Sequence, residues 1–335
     1  MKKRNLLAGE ATGTVLRSDM QIVIPDDATV LCRRSAGRLA QALTLDGLEP
    51  AIVTGQDATA RQTVRMTLGN GGMTYRVTAD GAGNCNLTAG CDRALQQAVL
   101  ELCGKVKNGR LPQISAVEGN AENLLRVMYY NVYGYGNLDS VPDRLGQQAA
   151  LIADAAPDVL CVQEFDRLHR AGAKPLLEKA GYSEVPVTED GGFLYPAGKN
   201  CEAIFYRADR LELLRSGGEP YPDRVEVDGA EVIGNNSNTK STAWAIFRER
   251  TGGKIFLAVN THFMWSAPEL TGKQANAVRV DNARRMVVLI DAIRALDPAY
   301  ANLAVIFGGD LNCGADSDPC AVVKTVLTPV YDMAD

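Results

Sequence analysis

The sequence predicts an α+β protein in two parts, a small α+β unit followed by a larger, strand-rich one. Three observations carry that expectation. Short runs with period-two alternation are interleaved with stretches of helical periodicity before residue 107. From residue 124 the strand-like runs become fully apolar and each ends in polar residues. Between the two lies Asn108-Gly109-Arg110-Leu111-Pro112 through Gly119-Asn120, with the composition of a linker over 108–123. A length of 335 residues makes two domains reasonable, and 46% hydrophobic with 22% charged residues is ordinary globular composition.

After an N-terminal segment (1–19), the first unit is expected over 20–107. Gln21-Ile22-Val23-Ile24-Pro25 reads as a strand, and 29–45 as a helix with Val30, Leu31, Leu39, Leu43 and Leu45 on one face. Ala51–Gly55 and Thr63–Leu68 read as further strands. Thr74–Thr78 and Asn86–Thr88 flank Asp80-Gly81-Ala82-Gly83-Asn84, a hairpin signal. A helix over 91–105 then ends at Cys103-Gly104.

Composition narrows the functional classes. No apolar run approaches the roughly 20 residues a bilayer span needs, so no membrane span is expected. The net charge is −5 and no long Lys/Arg run occurs, which does not favour nucleic acid as substrate. Eight cysteines include no C-x-x-C pair, and only two histidines exist, so no zinc site is expected. Cys161 lies in the apolar run Val159-Leu160-Cys161-Val162, as a small core residue would. Free thiols in a reducing compartment are the plain reading, with Cys85–Cys91 and Cys313–Cys320 as alternative pairings. Met1-Lys2-Lys3-Arg4 is followed by a stretch too short and polar for a signal peptide. A cytoplasmic location is therefore expected, although a secreted chain without its leader would read the same. No feature fixes an oligomeric state.

Within the first unit, Tyr75-Arg76-Val77-Thr78-Ala79-Asp80-Gly81, Leu87-Thr88-Ala89-Gly90 and Arg93-Ala94-Leu95 resemble the small N-terminal accessory domain that precedes the barrel in α-glucuronidases and related glycosidases. The likeness covers about a quarter of the chain. This half carries no acidic pair or other catalytic set, so a packing or adaptor unit is expected, with carbohydrate association the lesser reading.

In the second half, four apolar runs end in polar chemistry: Leu124–Asn131, Asp158–Glu164, Lys254–His262 and Leu303–Asn312. Helical stretches at 142–156 and 276–296 separate some of them. Taken singly, each residue has an ordinary explanation. Glu164 could be a solvated turn carboxylate, Asp310 could shape a turn after Gly308-Gly309, His262 could be a core histidine, and Asn131 could sit in a turn. Together they are complementary. A carboxylate binds a hard cation, a second handles water, a histidine donates to a phosphoryl oxygen, and amides fill the gaps.

Tyr130-Asn131-Val132-Tyr133-Gly134, Val162-Gln163-Glu164, Ala203-Ile204-Phe205-Tyr206-Arg207, Thr242-Ala243-Trp244-Ala245, Asn260-Thr261-His262 and Gly309-Asp310-Leu311-Asn312, in this order, resemble the endonuclease/exonuclease/phosphatase superfamily. The resemblance spans nearly all of 121–335. It implies a four-layer α/β/β/α sandwich over 124–335 and a divalent-metal-dependent phosphoesterase acting on a phosphate-ester substrate, diester or monoester. Glu164 would bind Mg²⁺ (Mn²⁺ as an alternative) with Asn131 beside it. Asp310 would orient and deprotonate water, Asn312 would hold the phosphoryl group or the water, and His262 would donate to a phosphoryl oxygen. Arg207 and Tyr133 are lesser candidates for the cleft wall, and Trp244 is expected in the core. The family also has a later Ser-Asp-His element, absent before Asp335. The sandwich is accordingly expected to be incomplete at its C-terminus, with little or no activity in the chain as it stands; were it active, His169 would be the first suspect for the second histidine's work. The alternative is a non-catalytic binding or adaptor protein on the same scaffold. Residues 186–200 and 216–240, rich in Gly, Asp and Asn, are expected as loops beside the cleft.

Overall fold

A computed structural model describes residues 13–69, 71–134, 144–186, 202–235 and 240–330. The chain divides into two compact units, Met1–Leu124 and Leu125–Asp335.

The first unit contains β1 (Thr14–Val15), β2 (Gln21–Ile24), α1 (Val30–Leu45), β3 (Ala51–Thr54), β4 (Thr63–Leu68), β5 (Thr74–Ala79), β6 (Cys85–Ala89), α2 (Asp92–Lys105), β7 (Arg110–Leu111) and β8 (Ile114–Asn120). Six strands form one mixed sheet in the order β3-β2-β4-β6-β5-β8, and the two helices pack on it and on each other. Thr29 caps α1 by accepting from the Cys32 backbone N–H. The buried stripe of α1 is Cys32, Ser35, Ala36, Leu39 and Leu43. Val30 and Leu45, expected on that face, are exposed. Each lies two residues from a buried position, roughly 200° around the helix.

The stretch 108–123 also differs from the expected linker. β8 pairs antiparallel with β5, and Ile114 is buried in the core of the unit. As an edge strand its inward residues are few, so its alternation is faint in the sequence.

The second unit contains β9 (Val127–Asn131), α3 (Arg144–Ala155), β10 (Val159–Gln163), α4 (Arg167–Lys179), β11 (Tyr182–Glu184), β12 (Ala203–Arg207), β13 (Leu211–Pro220), β14 (Arg224–Val227), β15 (Ala230–Ile233), β16 (Ser241–Glu249), β17 (Ile255–His262), α5 (Gly272–Arg294), β18 (Ala304–Asp310) and α6 (Asp318–Val323). Two four-stranded sheets, β11-β12-β10-β9 and β13-β16-β17-β18, face each other. Strand alternation sorts the side chains. Val159 and Cys161 face the inter-sheet core with Ile204, Ala245, Phe247 and Ala258. Leu160 and Val162 face outward with Ile152, Ala173 and Leu177 of the first helical layer. On the other side, Leu257 and Val259 meet Met286 and Ile290 of α5. The result is a four-layer α/β/β/α arrangement. α5 starts at a capping box, Thr271 with Gln274.

Trp244 is partly buried against this outer α5 layer and lies over Gly217. Residues 216–240 are not simply loop: β13 runs to Pro220, and β14 and β15 form a hairpin. Residues 187–200 of the other expected loop, 236–239 of this one, and 142–143 at the start of the helix expected over 142–156 lie outside the described residues. The seven described cysteines are free thiols, and Cys313 Sγ lies 3.8 Å from Cys320 Sγ. Among the described residues, no helix is long and apolar enough to cross a membrane.

Candidate active site

Parallel pairing explains why the site forms where it does. β9 and β10 run parallel with Asn131 opposite Gln163, and β17 and β18 run parallel with His262 opposite Asp310. The C-terminal ends of all four strands thus meet at one edge of the sandwich. Buried polar contacts fix the two sheets there. Asn260 donates to the carbonyls of Val162 and Ala203 at 2.9 and 3.0 Å and accepts from Gln163 Nε2 at 2.6 Å. The Tyr129 hydroxyl lies 3.2 Å from both the Val259 and Ile306 carbonyl oxygens.

At that edge, ligand atoms of Glu164, His262 and Asp310 all lie within 4.8 Å of one another. Asn131 ties the carboxylates together: its Nδ2 donates to Glu164 Oε1 at 3.1 Å and to Asp310 Oδ2 at 2.9 Å. Its Oδ1 accepts from the Tyr133 backbone N–H at 2.9 Å. Asn312 N–H donates to Asp310 Oδ1 at 3.0 Å, and Asn312 Nδ2 to the Phe263 carbonyl at 2.9 Å. His262 Nε2 is 3.6 Å from Asp310 Oδ2.

The backbone here is unusual. Six described non-glycine residues have positive φ, and three of them, Tyr133 (57°), Glu164 (62°) and Asn312 (51°), belong to these strand ends. Each costs about 1–3 kcal/mol, the kind of strain that clusters at functional sites. Gly308 and Gly309 are needed for packing. A Cβ on Gly308 would meet the Tyr129 ring at 2.8 Å, and one on Gly309, at φ 143°, would meet the Thr261 carbonyl oxygen at 1.9 Å.

Two residues join the cluster that the strand-end motifs did not reveal. Lys240 Nζ lies 2.7 Å from His262 Nε2 and 3.2 Å from Nδ1. Glu202 Oε1 lies 3.5 Å from His262 Nδ1, and its Oε2 accepts from the Ser241 hydroxyl. Both are buried. Burial holds the His262 pKa down to about 3, with the Lys240 charge adding to the effect and Asp310 opposing it. Burial also raises the Glu202 carboxyl well above its usual range, against the pull of Lys240. It lowers the Lys240 ammonium, against Glu202, Glu164 and Asp310. Glu202 and Lys240 directly precede β12 and β16, which run antiparallel to β10 and β17. Strand starts of that sense arrive at the same edge as the strand ends, the signal that could have found them.

Other expectations fall elsewhere. Arg207 sits at the far end of β12, beside Asp209 with its Nε 3.0 Å from Oδ1, because antiparallel pairing carries it away from Glu164. Tyr133, in contrast, stays beside the site, its N–H on Asn131 Oδ1 and its exposed ring beneath Arg144. His169 is buried in the first turn of α4, its Nδ1 2.9 Å from Asp166 Oδ1 and its ring against Phe165, outside the Glu164–His262–Asp310 group.

Fold and site together form an α/β sandwich with acidic and imidazole groups at one sheet edge. Residues 128–325 match the Endonuclease/Exonuclease/phosphatase family, and the chain belongs to that family. Among solved structures it is similar to a mannosyl-6-phosphatase of Bacteroides thetaiotaomicron, at 24% identity and TM-score 0.46, covering 62% of this chain and 74% of that one. An endonuclease/exonuclease/phosphatase protein of Bacteroides vulgatus gives 26% identity, TM-score 0.44, and coverages of 60% and 70%. The human Nocturnin catalytic domain with bound sulfate gives 20% identity, TM-score 0.43, and coverages of 59% and 67%. No curated protein matches the sequence.

Proposed function

We propose that the second unit is a Mg²⁺-dependent phosphoesterase that hydrolyses its substrate by in-line attack of water. The observation that carries this reading is the convergence of Glu164, Asp310 and His262 within 4.8 Å, drawn from two different sheets. The donor set fits a hard cation. Two carboxylates offer oxygens, and an ion such as Mg²⁺ keeps several waters and takes the rest from substrate phosphate. Lys240 stands against both ring nitrogens of His262, so Glu164, with Asp310 beside it, would hold the cation in place of the imidazole.

When bound, the divalent ion supplies polarisation of the phosphoryl group and neutralisation of charge at the departing oxygen. Asp310 orients the attacking water and takes its proton as the water oxygen bonds to phosphorus. The ester P–O bond breaks, and the leaving oxygen collects a proton from solvent. His262, neutral and with its Nε2 2.7 Å from Lys240 Nζ, holds that lysine at the site. Asn131 keeps the two carboxylates in register, and Asn312 holds Asp310 through its backbone N–H. The first unit, which resembles a glycosidase accessory domain, serves as an accessory unit on this reading.

A panel of phosphomonoesters and phosphodiesters with Mg²⁺ or Mn²⁺ tests the assignment, alongside Mn²⁺ titration of the wild type and Glu164→Gln. We expect Asp310→Asn to lower turnover by about 10²–10⁴-fold and Glu164→Gln to weaken Mn²⁺ binding. Turnover indifferent to Asp310→Asn, or Mn²⁺ binding unchanged by Glu164→Gln, would overturn it.

A further inference from the structure

We propose that Cys313 and Cys320 are a reversible dithiol–disulfide pair whose oxidation loosens the hold on Asp310. The disulfide stands on the placement of the two thiols, and the loss of turnover that it brings rests on the phosphoesterase reading. Cys313 follows Asn312 in the loop after β18, and Cys320 lies in the first turn of α6. Their Sγ atoms are 3.8 Å apart, and both residues are partly exposed. A disulfide needs about 2.05 Å, so side-chain rotation and a small backbone shift bring the sulfurs together. The two cysteines line the same cavity as Asp310 and Asn312, so a small solute reaches them beside the site.

The oxidant is a small disulfide of the oxidised-glutathione kind. One protein thiolate attacks it and releases the first small thiol. The neighbouring cysteine, losing its proton, attacks the mixed disulfide and releases the second. Two protein thiols thus give up two electrons and two protons, and the small disulfide gains them. Burial raises the Cys313 thiol, against the Ser317 hydroxyl and the Arg279 guanidinium, with Cys320 adding to the rise. Such a thiol is mostly protonated at neutral pH, so the pair responds slowly and follows a sustained change of redox poise.

The two ends of the new bond differ in how far they yield. Cys320 is set in a helix whose Pro319 is buried and whose Asp318 accepts from Asn276 Nδ2 of α5 at 2.8 Å. Cys313 is followed by Gly314, which has open space around it. The movement therefore falls on the Cys313 side. Its neighbour Asn312 has φ 51°, donates its N–H to Asp310 Oδ1 at 3.0 Å and donates Nδ2 to the Phe263 carbonyl at 2.9 Å. A residue kept in a sparsely populated conformation by two hydrogen bonds gives way when its successor is drawn toward α6. Asp310, which takes the proton of the attacking water, then loses the donor that orients it.

The test treats the reduced full chain with oxidised glutathione, removes the reagent, and maps disulfides by mass spectrometry of non-reduced digests. A peptide pair joined through Cys313 and Cys320, reversed by dithiothreitol, is expected. Its absence, or preferred pairing of other cysteines, overturns the proposal. Oxidation should lower turnover of p-nitrophenyl phosphate or bis-p-nitrophenyl phosphate with Mg²⁺ by about tenfold and quicken hydrogen exchange at the Asn312 amide. Cys320→Ser should match the turnover of the reduced wild type and respond to the oxidant in neither measurement. Unchanged exchange at Asn312 in the oxidised chain, unchanged turnover in an active one, or an equal response in Cys320→Ser would defeat the assignment. If the reduced wild type turns over neither ester, the phosphoesterase reading falls, and mapping with amide exchange decides the pair: a joined pair with faster exchange supports it, and either one missing overturns it. If Cys320→Ser does not fold by circular dichroism, recovery of the wild type in dithiothreitol decides instead. Turnover and exchange that return in step with loss of the joined peptide support the switch, and recovery out of step overturns it.

Discussion

Gly309 and His262 show how single residues set the site. An alanine at 309 would place its Cβ 1.9 Å from the Thr261 carbonyl oxygen, and no side-chain adjustment relieves a clash with backbone. We expect Gly309→Ala to cost about 3 kcal/mol of stability in urea denaturation and to shift the adjacent Asp310. His262 makes stability pH-dependent in the metal-free protein. Its folded pKa, about 3, lies below the ordinary histidine value of 6.5. The unfolded chain therefore binds a proton that the folded one refuses. The contribution is present above 6.5 and is lost as pH falls toward 3. Glu202 acts in the opposite sense: raised in the folded state, its contribution is present below the ordinary carboxylate pKa and is lost as pH rises through the folded one. Comparing wild type with His262→Gln isolates the first effect. Wild type should lose more stability than the variant between pH 6.5 and 4.5, and parallel melting curves would contradict the assignment.

The strand is the scale at which the sequence was most legible. Val159–Gln163, Ile255–His262 and Ala304–Asp310 lie within the apolar runs that announced them, and for the first two burial on both faces demands continuous apolar residues. Strand direction was not legible. Arg207 was expected at the cleft and lies at the far end of β12, while Glu202 and Lys240, just before antiparallel strands, were missed. Pairing partners come from residues far apart in sequence, which local patterns do not report. The same non-local pairing fastens the two sheets at Asn260. Asn260→Ala leaves the carbonyls of Val162 and Ala203 and the amide of Gln163 without their partner. We expect a loss of about 3 kcal/mol. The double variant Gln163→Leu/Asn260→Leu should lose less than the sum of its single changes, which a double-mutant cycle measures.

At the scale of the molecule, each unit has its own core. The buried cluster running from Leu16 through Leu39, Leu87 and Leu102 to Ala121 lies entirely within the first unit. A fragment of residues 13–124 should therefore melt cooperatively by itself, and a featureless thermal profile would contradict that. The second unit carries a different consequence. Asn131 and Glu164 come from one sheet and His262 and Asp310 from the other, so a cation seated among them is a clasp across the sandwich. Any ion that binds only the assembled edge raises the free energy of opening, by about 2.7 kcal/mol at a hundred times its dissociation constant. On the proposed reading, ion supply then governs the lifetime of the protein as well as its turnover. Without the ion the sandwich would open more often, and proteases would cut the opened form. Chelation should quicken limited proteolysis of the second unit, and Glu164→Gln should remove that sensitivity.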